Sequence, residues 1–154
     1  MAAYDTYINA DTYFATRLHV SAWTGSRQAD KTIALTEASA RIDRLRFSGL
    51  KVDSAQTEEF PRYYGDDPDG TEVVPGDIKI ACYEVAFALL DGVDPDLELE
   101  NLAVGSRGIS SARTTYARRE VPEHFAAGIP SAYAWTFLRP YLLPSGTVKI
   151  HRVS

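Results

Sequence analysis

With 154 residues and a mass of 17.0 kDa, the chain is the size of one ordinary domain. Its composition, 45% hydrophobic and 24% charged, is that of a folded globular protein and excludes a disordered chain. The longest nearly apolar run, around Val85 to Leu90, is far shorter than the roughly 20 residues that cross a bilayer, so we expect a soluble protein with no membrane partner. The single cysteine, Cys82, and three scattered histidines form no spaced ligand set, so we expect no metal and no other cofactor.

The net charge of −5 argues against a protein that coats nucleic acid through bulk charge, but the charges are unevenly distributed. Eight acids and one base lie between Asp53 and Asp77, whereas four arginines and no acid lie between Arg107 and Arg119. Complementary segments of this kind favour contacts between copies that close into a ring. Two solvated loops are the alternative that the charge pattern leaves open.

Two short helical segments are predicted near the start of the chain. Asn9 is predicted to cap a helix over Asp11 to Leu18, and Ser21 to cap a brief turn that carries Trp23.

A long amphipathic helix is predicted from Gln28 to Phe47, ending near Gly49. Glu37 and Arg41 form an i,i+4 pair on its outer face. The apolar stripe that this helix buries consists of Leu35, Ala38, Ile42 and Leu45.

A second long helix is predicted to begin with Pro75 in its first turn and to end at Gly92, with Pro95 marking the stop. Its buried stripe includes Ile78, Ala81, Cys82, Val85 and Leu89. A thiol on that face is desolvated, so Cys82 is interpreted as a core residue. The two stripes predict a mainly α fold, a small helical bundle around two long antiparallel helices.

The remaining segments are shorter. Gly65 to Gly76 is rich in turn residues and is predicted to be a loop or a β-hairpin, and Ala103 to Arg119 is predicted to be an extended arm or edge strand. Pro130 and Ser131 open a last short helix that runs to Leu138.

The end of the chain alternates apolar and polar residues from Thr147 to Val153, which is the period of a strand. Such a strand has no predicted partner within a helical domain, so we expect it to add to a sheet in another protein. The predicted organisation is therefore one domain over residues 1–146, with its extended arm at about 103–119, and a docking tail over 147–154.

No motif predicts an enzyme, because the sequence contains no glycine-rich phosphate loop, no nucleophile elbow and no paired-histidine zinc motif. The arginine-rich arm has a functional alternative to subunit contacts. Its arginines could follow a single-stranded phosphate backbone while its tyrosine stacks on a base. The residues concerned are Arg107, Arg113, Tyr116, Arg118 and Arg119.

Several short motifs occur in a characteristic order. They are Ala22-Trp23, Phe60-Pro61-Arg62, an Asp-Gly turn, and Val74-Pro75-x-x-Ile78-x-x-Ala81-x-x-Glu84-Val85-Ala86. This order resembles a family of tailed-phage proteins often labelled DnaT-like single-stranded-DNA-binding proteins. Its members are similar to head–tail adaptors, also called head completion proteins. The family usually has Trp-Pro-Arg where this chain has Phe60-Pro61-Arg62. Phe60 therefore departs from the family pattern but keeps an aromatic ring.

The resemblance implies a small, non-enzymatic, mainly helical virion protein. Such adaptors assemble in the host cytoplasm into a ring, typically a dodecamer, that connects the portal to a tail-side stopper or nozzle and lets double-stranded DNA pass without sequence-specific binding. A C-terminal extension docks on the portal; here it corresponds to Val148, Lys149, Ile150, His151, Arg152 and Val153. Subunit or tail-side contacts are expected at Asp66, Asp67, Asp69, Glu72, Arg107, Arg113, Tyr116, Arg118 and Arg119. The alternative is a single-stranded-DNA-binding protein of phage replication.

Overall fold

The computed structural model describes residues 2–63, 74–108 and 121–144, with the backbone alone described for 102–108. Within these ranges the chain is mainly helical, as predicted. The helices are α1 (Tyr7–Phe14), α2 (Ser21–Thr24), α3 (Gln28–Ile42), α4 (Gly76–Leu90), α5 (Pro95–Gly108), α6 (Glu123–Ala126) and α7 (Ala132–Leu138), followed by a 3₁₀ turn at Arg139–Tyr141. Two short strands, β1 (Leu50–Lys51) and β2 (Arg62–Tyr63), lie between α3 and α4.

The first helix begins earlier than predicted. Thr6 has extended backbone angles and is the N-cap, since its hydroxyl accepts a hydrogen bond from the Asn9 amide at 3.4 Å. The Asn9 side chain donates instead to the Asp5 carboxylate at 2.7 Å, so the predicted cap lies inside the helix. The next short helix, α2, carries Trp23 as expected.

The third helix also ends earlier than predicted, at Ile42 instead of Phe47. Asp43 is the C-cap and keeps helical backbone angles, but the amides of Arg44 and Leu45 then donate to carbonyls only three residues back. The Asp43 carboxylate accepts hydrogen bonds from the Tyr4 hydroxyl and from the Glu59 amide. Phe47 is buried, but in an antiparallel bridge to Leu142. Tertiary pairing therefore overrides the apolar periodicity beyond Ile42.

The fourth helix spans nearly the predicted range. Pro75 is its N-cap and not its first helical residue. At the other end, Gly92 has a φ of +88°, and the Val93 amide donates to the Ala88 carbonyl at 3.1 Å. Glycine favours this left-handed conformation, which closes the helix as the sequence predicted.

Contacts with α1 establish that α3 and α4 are antiparallel. The start of α1 lies near the end of α3 and the start of α4, through Tyr4 with Asp43 and Asp5 with Lys79. The end of α1 lies near the start of α3 and the end of α4, because Asp11 pairs with Lys31 and the rings of Phe14 and Phe87 are 5.7 Å apart.

The core lies between α3 and α4 and is covered by α1, α2 and α7. Of the predicted core residues, Leu35, Ala38, Ile42, Ile78, Ala81, Cys82 and Val85 are buried. Leu45 and Leu89 are half-buried and pack against its edge. Leu45 lies beyond the end of α3, and Leu89 lies in the last turn of α4.

The segment after α4 differs most from prediction. The fourth helix stops before Pro95 as predicted, but Pro95 is also the first residue of an unpredicted helix, α5, which extends to Gly108. The Asp94 carboxylate accepts hydrogen bonds from the Asp96 and Leu97 amides, both at 3.1 Å, so it caps the new helix. The prediction of an extended arm is therefore wrong for residues 103–108, and residues 109–120 lie outside the described part.

The last helix, α7, begins as predicted, with the Ser131 hydroxyl accepting from the Ala134 amide at 3.1 Å. The strands β1 and β2 pair antiparallel, with Leu50 opposite Tyr63. This pair precedes the segment in which a hairpin was predicted, most of which lies outside the described residues.

Replacing Ala81 by tryptophan is expected to lower the free energy of unfolding by at least about 1–3 kcal/mol, because Ala81 is fully buried in the face of α4 that packs on α3. Thermal unfolding followed by circular dichroism measures the change. The matched control is Ala29→Trp, at an exposed alanine of α3. Equal melting temperatures for the two variants would show that the α3–α4 contact is wrong.

Candidate interaction surfaces

Most sequence-predicted contact residues lie outside the described part of the chain. Those of the acidic segment are Asp66, Asp67, Asp69 and Glu72; those of the arm are Arg113, Tyr116, Arg118 and Arg119; and those of the tail are Val148 to Val153. Arg107 lies in α5, where the backbone alone is described. The roles predicted for these residues therefore stay predictions.

The Phe60-Pro61-Arg62 motif forms an internal clamp. A cis peptide bond joins Phe60 to Pro61, and the Phe60 ring packs edge-on against Phe47 with centroids 4.7 Å apart. The Arg62 side chain is only 4% exposed. Its guanidinium donates to the carbonyls of Phe47 (3.2 Å), Ser48 (2.9 Å), Gly49 (2.8 Å) and Glu59 (3.3 Å), and to the Glu59 carboxylate (2.7 Å). This arginine therefore ties the turn after α3 to the strand pair and is not available to a ligand.

A second internal cluster surrounds Glu84, whose side chain is 2% exposed. Its carboxylate accepts two hydrogen bonds from Arg17, at 2.9 and 3.1 Å, and one from the Tyr13 hydroxyl at 2.7 Å. Burial and the neighbouring carboxylate raise the pKa of Tyr13, so its hydroxyl stays a donor. The Arg17 guanidinium also lies 4.8 Å from the ring centroid of Tyr133 on α7. The cluster thus joins α1, α4 and α7.

A third cluster centres on Arg41. The predicted pair with Glu37 exists at 3.2 Å, but Arg41 is buried and not on an outer face. It also donates to the Asp96 carboxylate at 3.1 Å and to the Gly128 carbonyl at 3.0 Å. These bonds fasten the start of α5 and the loop after α6 to α3.

Ion pairs occupy most of the basic side chains that the structure describes. Seven of them lie within 4.0 Å of a carboxylate: Arg17, Arg27, Lys31, Arg41, Lys51, Arg62 and Lys79. Within the described ranges, Arg44, Arg46 and Arg139 are exposed and make no such pair. This part of the surface therefore offers few cations to a phosphate backbone.

Acidic residues without a basic neighbour concentrate where α4 ends and α5 begins. Between Asp91 and Glu100 the sequence holds five acids and no base, and all five are exposed. Asp96 alone is ion-paired, with Arg41. Leu97, in the middle of this group, is 52% exposed.

The Cys82 thiol is buried, with its sulphur 3.3 Å from the Ser39 hydroxyl. Burial raises the pKa of Cys82 to about 12, because the thiolate would be desolvated. At pH 8 we expect an aromatic disulfide reagent to label Cys82 in the native protein at least about a hundredfold more slowly than in urea-unfolded protein. Equal labelling rates would contradict the burial of this side chain.

Among the described residues, no group of three or more histidine, cysteine, aspartate or glutamate side chains is arranged to hold a metal ion. In the same ranges, no helix has the length and hydrophobicity that a membrane span requires.

The fold and these clusters define a small helical-bundle protein whose described buried charges brace one helix against another. The chain belongs to the family described as "Putative DnaT-like ssDNA binding protein", whose model matches residues 1–153. No curated protein and no solved structure matches the chain.

Proposed function

We propose that this protein is a structural component of a tailed-phage neck, an adaptor that forms a ring between the portal and the tail. One observation carries the proposal: internal ion pairs occupy seven of the basic side chains that the structure describes and leave Arg44, Arg46 and Arg139 unpaired there. A domain of net charge −5 with its cations so occupied suits a channel wall along which duplex DNA slides without adhering.

The Phe60-Pro61-Arg62 motif, on which the family resemblance partly rests, supports a structural role for this protein. Arg62, the basic residue of that motif, is buried and bonded to main-chain carbonyls. A buried guanidinium cannot contact a DNA backbone. What this motif contributes is therefore the shape of the domain.

In the proposed assembly the tail over residues 147–154 docks on the portal, and the other partners are further copies and a tail-side stopper or nozzle. Deleting Thr147–Ser154 is expected to leave a folded protein that no longer joins portal-containing particles. Circular dichroism measures folding, and quantitative mass spectrometry of purified particles measures incorporation. Unchanged incorporation would refute the docking role of the tail.

Apolar and polar residues alternate along the tail, and this alternation suggests a pair of variants that tests docking as a strand. If the tail docks as a strand, one face carries Val148 and Ile150 into the partner while the other carries Lys149 and His151. The variant Val148→Ser/Ile150→Ser is then expected to abolish incorporation. The matched control, Lys149→Ser/His151→Ser, is expected to retain most of it, and equal losses would contradict strand docking.

The description of the family favours a second candidate function, binding of single-stranded DNA in phage replication. Its site would comprise Arg113, Tyr116, Arg118 and Arg119, with phosphates held by the arginines and one base stacked on the tyrosine. A gel shift with single-stranded DNA at low salt tests it. Loss of binding in Arg118→Glu/Arg119→Glu, but not in the exposed control Arg27→Glu, would support this function. The absence of any shift for the unmodified chain would reject it.

A further inference from the structure

A groove runs between the start of α1 and the middle of α3. The segment from Ala3 to Ile8 lines one side of it, and Thr32 and Leu35 line the other. Ile8 is 60% exposed, and Ile33, which follows Thr32 on α3, is 64% exposed. Two large apolar side chains therefore meet solvent at this groove.

The threonine hydroxyls of this surface are bonded within their own helix. The Thr32 hydroxyl donates to the Gln28 carbonyl, and the Thr36 hydroxyl donates to the Thr32 carbonyl, both at 3.0 Å. Thr36 lies four residues after Thr32 and three after Ile33, so it shares a face with both. A hydroxyl bonded in this way leaves the methyl group as the part of the side chain that a partner can contact. The surface beside Ile33 is therefore less polar than its composition indicates.

The last described residues lie close to the groove. The Tyr141 ring is 6.3 Å from the Phe60 ring, which is 6.0 Å from the ring of Tyr4 at the start of the groove. An extended chain covers about 3.3 Å per residue, so the stretch from Tyr141 to Val148 spans up to roughly 23 Å. The tail can therefore reach the groove of its own copy.

The spacing of the tail fits the surface of α3. In an extended strand Val148 and Ile150 lie on one face, about 6.6 Å apart. Thr32 and Thr36 are about 6 Å apart along the helix axis. Successive apolar side chains of a strand that lies along α3 can thus pack on successive turns of the helix. Such packing removes apolar surface of both partners from water.

The charges beside the groove are complementary to those of the tail. Asp30 precedes Ile33 by three residues and Glu37 follows it by four, so both flank it on α3. Each acid pairs with an arginine of its own helix region, but their side chains remain 41% and 50% exposed. The tail carries Lys149 and Arg152 and no acidic side chain. A basic strand is therefore attracted to this side of α3.

We propose that in the free protein the tail lies in the α1–α3 groove of its own copy, with Val148 and Ile150 packed between Ile8 and Ile33. The groove then covers the apolar face of the tail until another protein displaces it. That the displacing protein is the portal rests on the proposed function. The contact itself concerns the purified chain alone.

Disulfide cross-linking tests the contact, because a disulfide forms only where two Cα atoms come within about 7 Å. In dilute, full-length protein, Ile33→Cys/Ile150→Cys is expected to form an intramolecular disulfide at least about tenfold faster than Leu50→Cys/Ile150→Cys. Leu50 is the matched control, since it is 65% exposed and lies four residues after Arg46, whose carbonyl accepts from the Leu143 amide. A tail without a preferred position reaches Leu50 at least as readily as Ile33. Intact mass and peptide mapping over time measure the rates.

A further variant removes one apolar side of the groove. Added to Ile33→Cys/Ile150→Cys, the change Ile8→Ser is expected to slow disulfide formation about threefold or more, because Ile150 loses an apolar neighbour. Leu18→Ser, at a leucine that is 80% exposed and does not line the groove, is expected to leave the rate unchanged. Circular dichroism checks that both variants fold.

Equal rates for the Ile33 and Leu50 pairs, a disulfide found only between copies, or a rate that Ile8→Ser leaves unchanged would each overturn the inference. Particle incorporation measures the proposed function separately. A chain that joins particles but shows no cross-linking preference would keep the adaptor function and lose this contact. A chain absent from particles that shows the preference would keep the contact and lose the adaptor function.

Discussion

Replacing Arg62 by alanine is expected to lower the free energy of unfolding by about 3–5 kcal/mol, a large part of the 5–15 kcal/mol typical of a domain. The guanidinium is almost completely buried, and its removal leaves main-chain carbonyls and the Glu59 carboxylate without their donor. A buried acceptor without a partner costs free energy, because it has given up its hydrogen bonds to water and makes none within the protein. Chemical denaturation of the purified protein measures the loss.

Two further variants show whether the loss of stability comes from the directed hydrogen bonds of Arg62. Arg62→Lys keeps the charge but cannot supply five directed bonds, so most of the loss is expected to remain. Arg44→Ala, at an exposed arginine a few residues from the same turn, is expected to change stability by less than about 0.5 kcal/mol. Arg62 and Arg44 variants of equal stability would contradict the clamp.

Replacing Arg17 by alanine is expected to lower the free energy of unfolding by about 2–4 kcal/mol. Most of this cost arises at Glu84, whose buried carboxylate loses two of its three hydrogen-bond donors. Arg17 itself is about one-third exposed, so its own attraction to the carboxylate is partly screened by water and contributes less.

A double-mutant cycle separates the two contributions. In Arg17→Ala/Glu84→Gln the buried charge is absent, and the amide can still accept a hydrogen bond from Tyr13. This double variant is expected to regain at least about 1 kcal/mol relative to Arg17→Ala. A double variant less stable than either single variant would show that the ion pair is not what holds Glu84 in the core.

The candidate surfaces were only partly predictable. The uneven distribution of acids and arginines is visible in the sequence, but the acidic group over 91–100 was missed because Pro95 was interpreted only as marking the end of one helix and not as the start of the next. A capping aspartate directly before a proline, followed by acids in the first turn, was the available signal for α5. The clamp at Arg62 had no such signal, because three of its five acceptors are carbonyls 13 to 15 residues away.

By itself the sequence determined the mainly helical fold, the two long helices and seven buried residues of their apolar stripes. Apolar side chains at helical spacing lie on one face of a helix, and that face is removed from water by packing against another helix. It also determined the caps at Gly92 and Ser131, which depend on neighbouring residues alone. Only the tertiary structure decided where α3 ends, that Arg41, Arg62 and Glu84 lie inside, and which arginines stay unpaired. These features depend on partners distant in the sequence, whose positions exist only once the chain has folded.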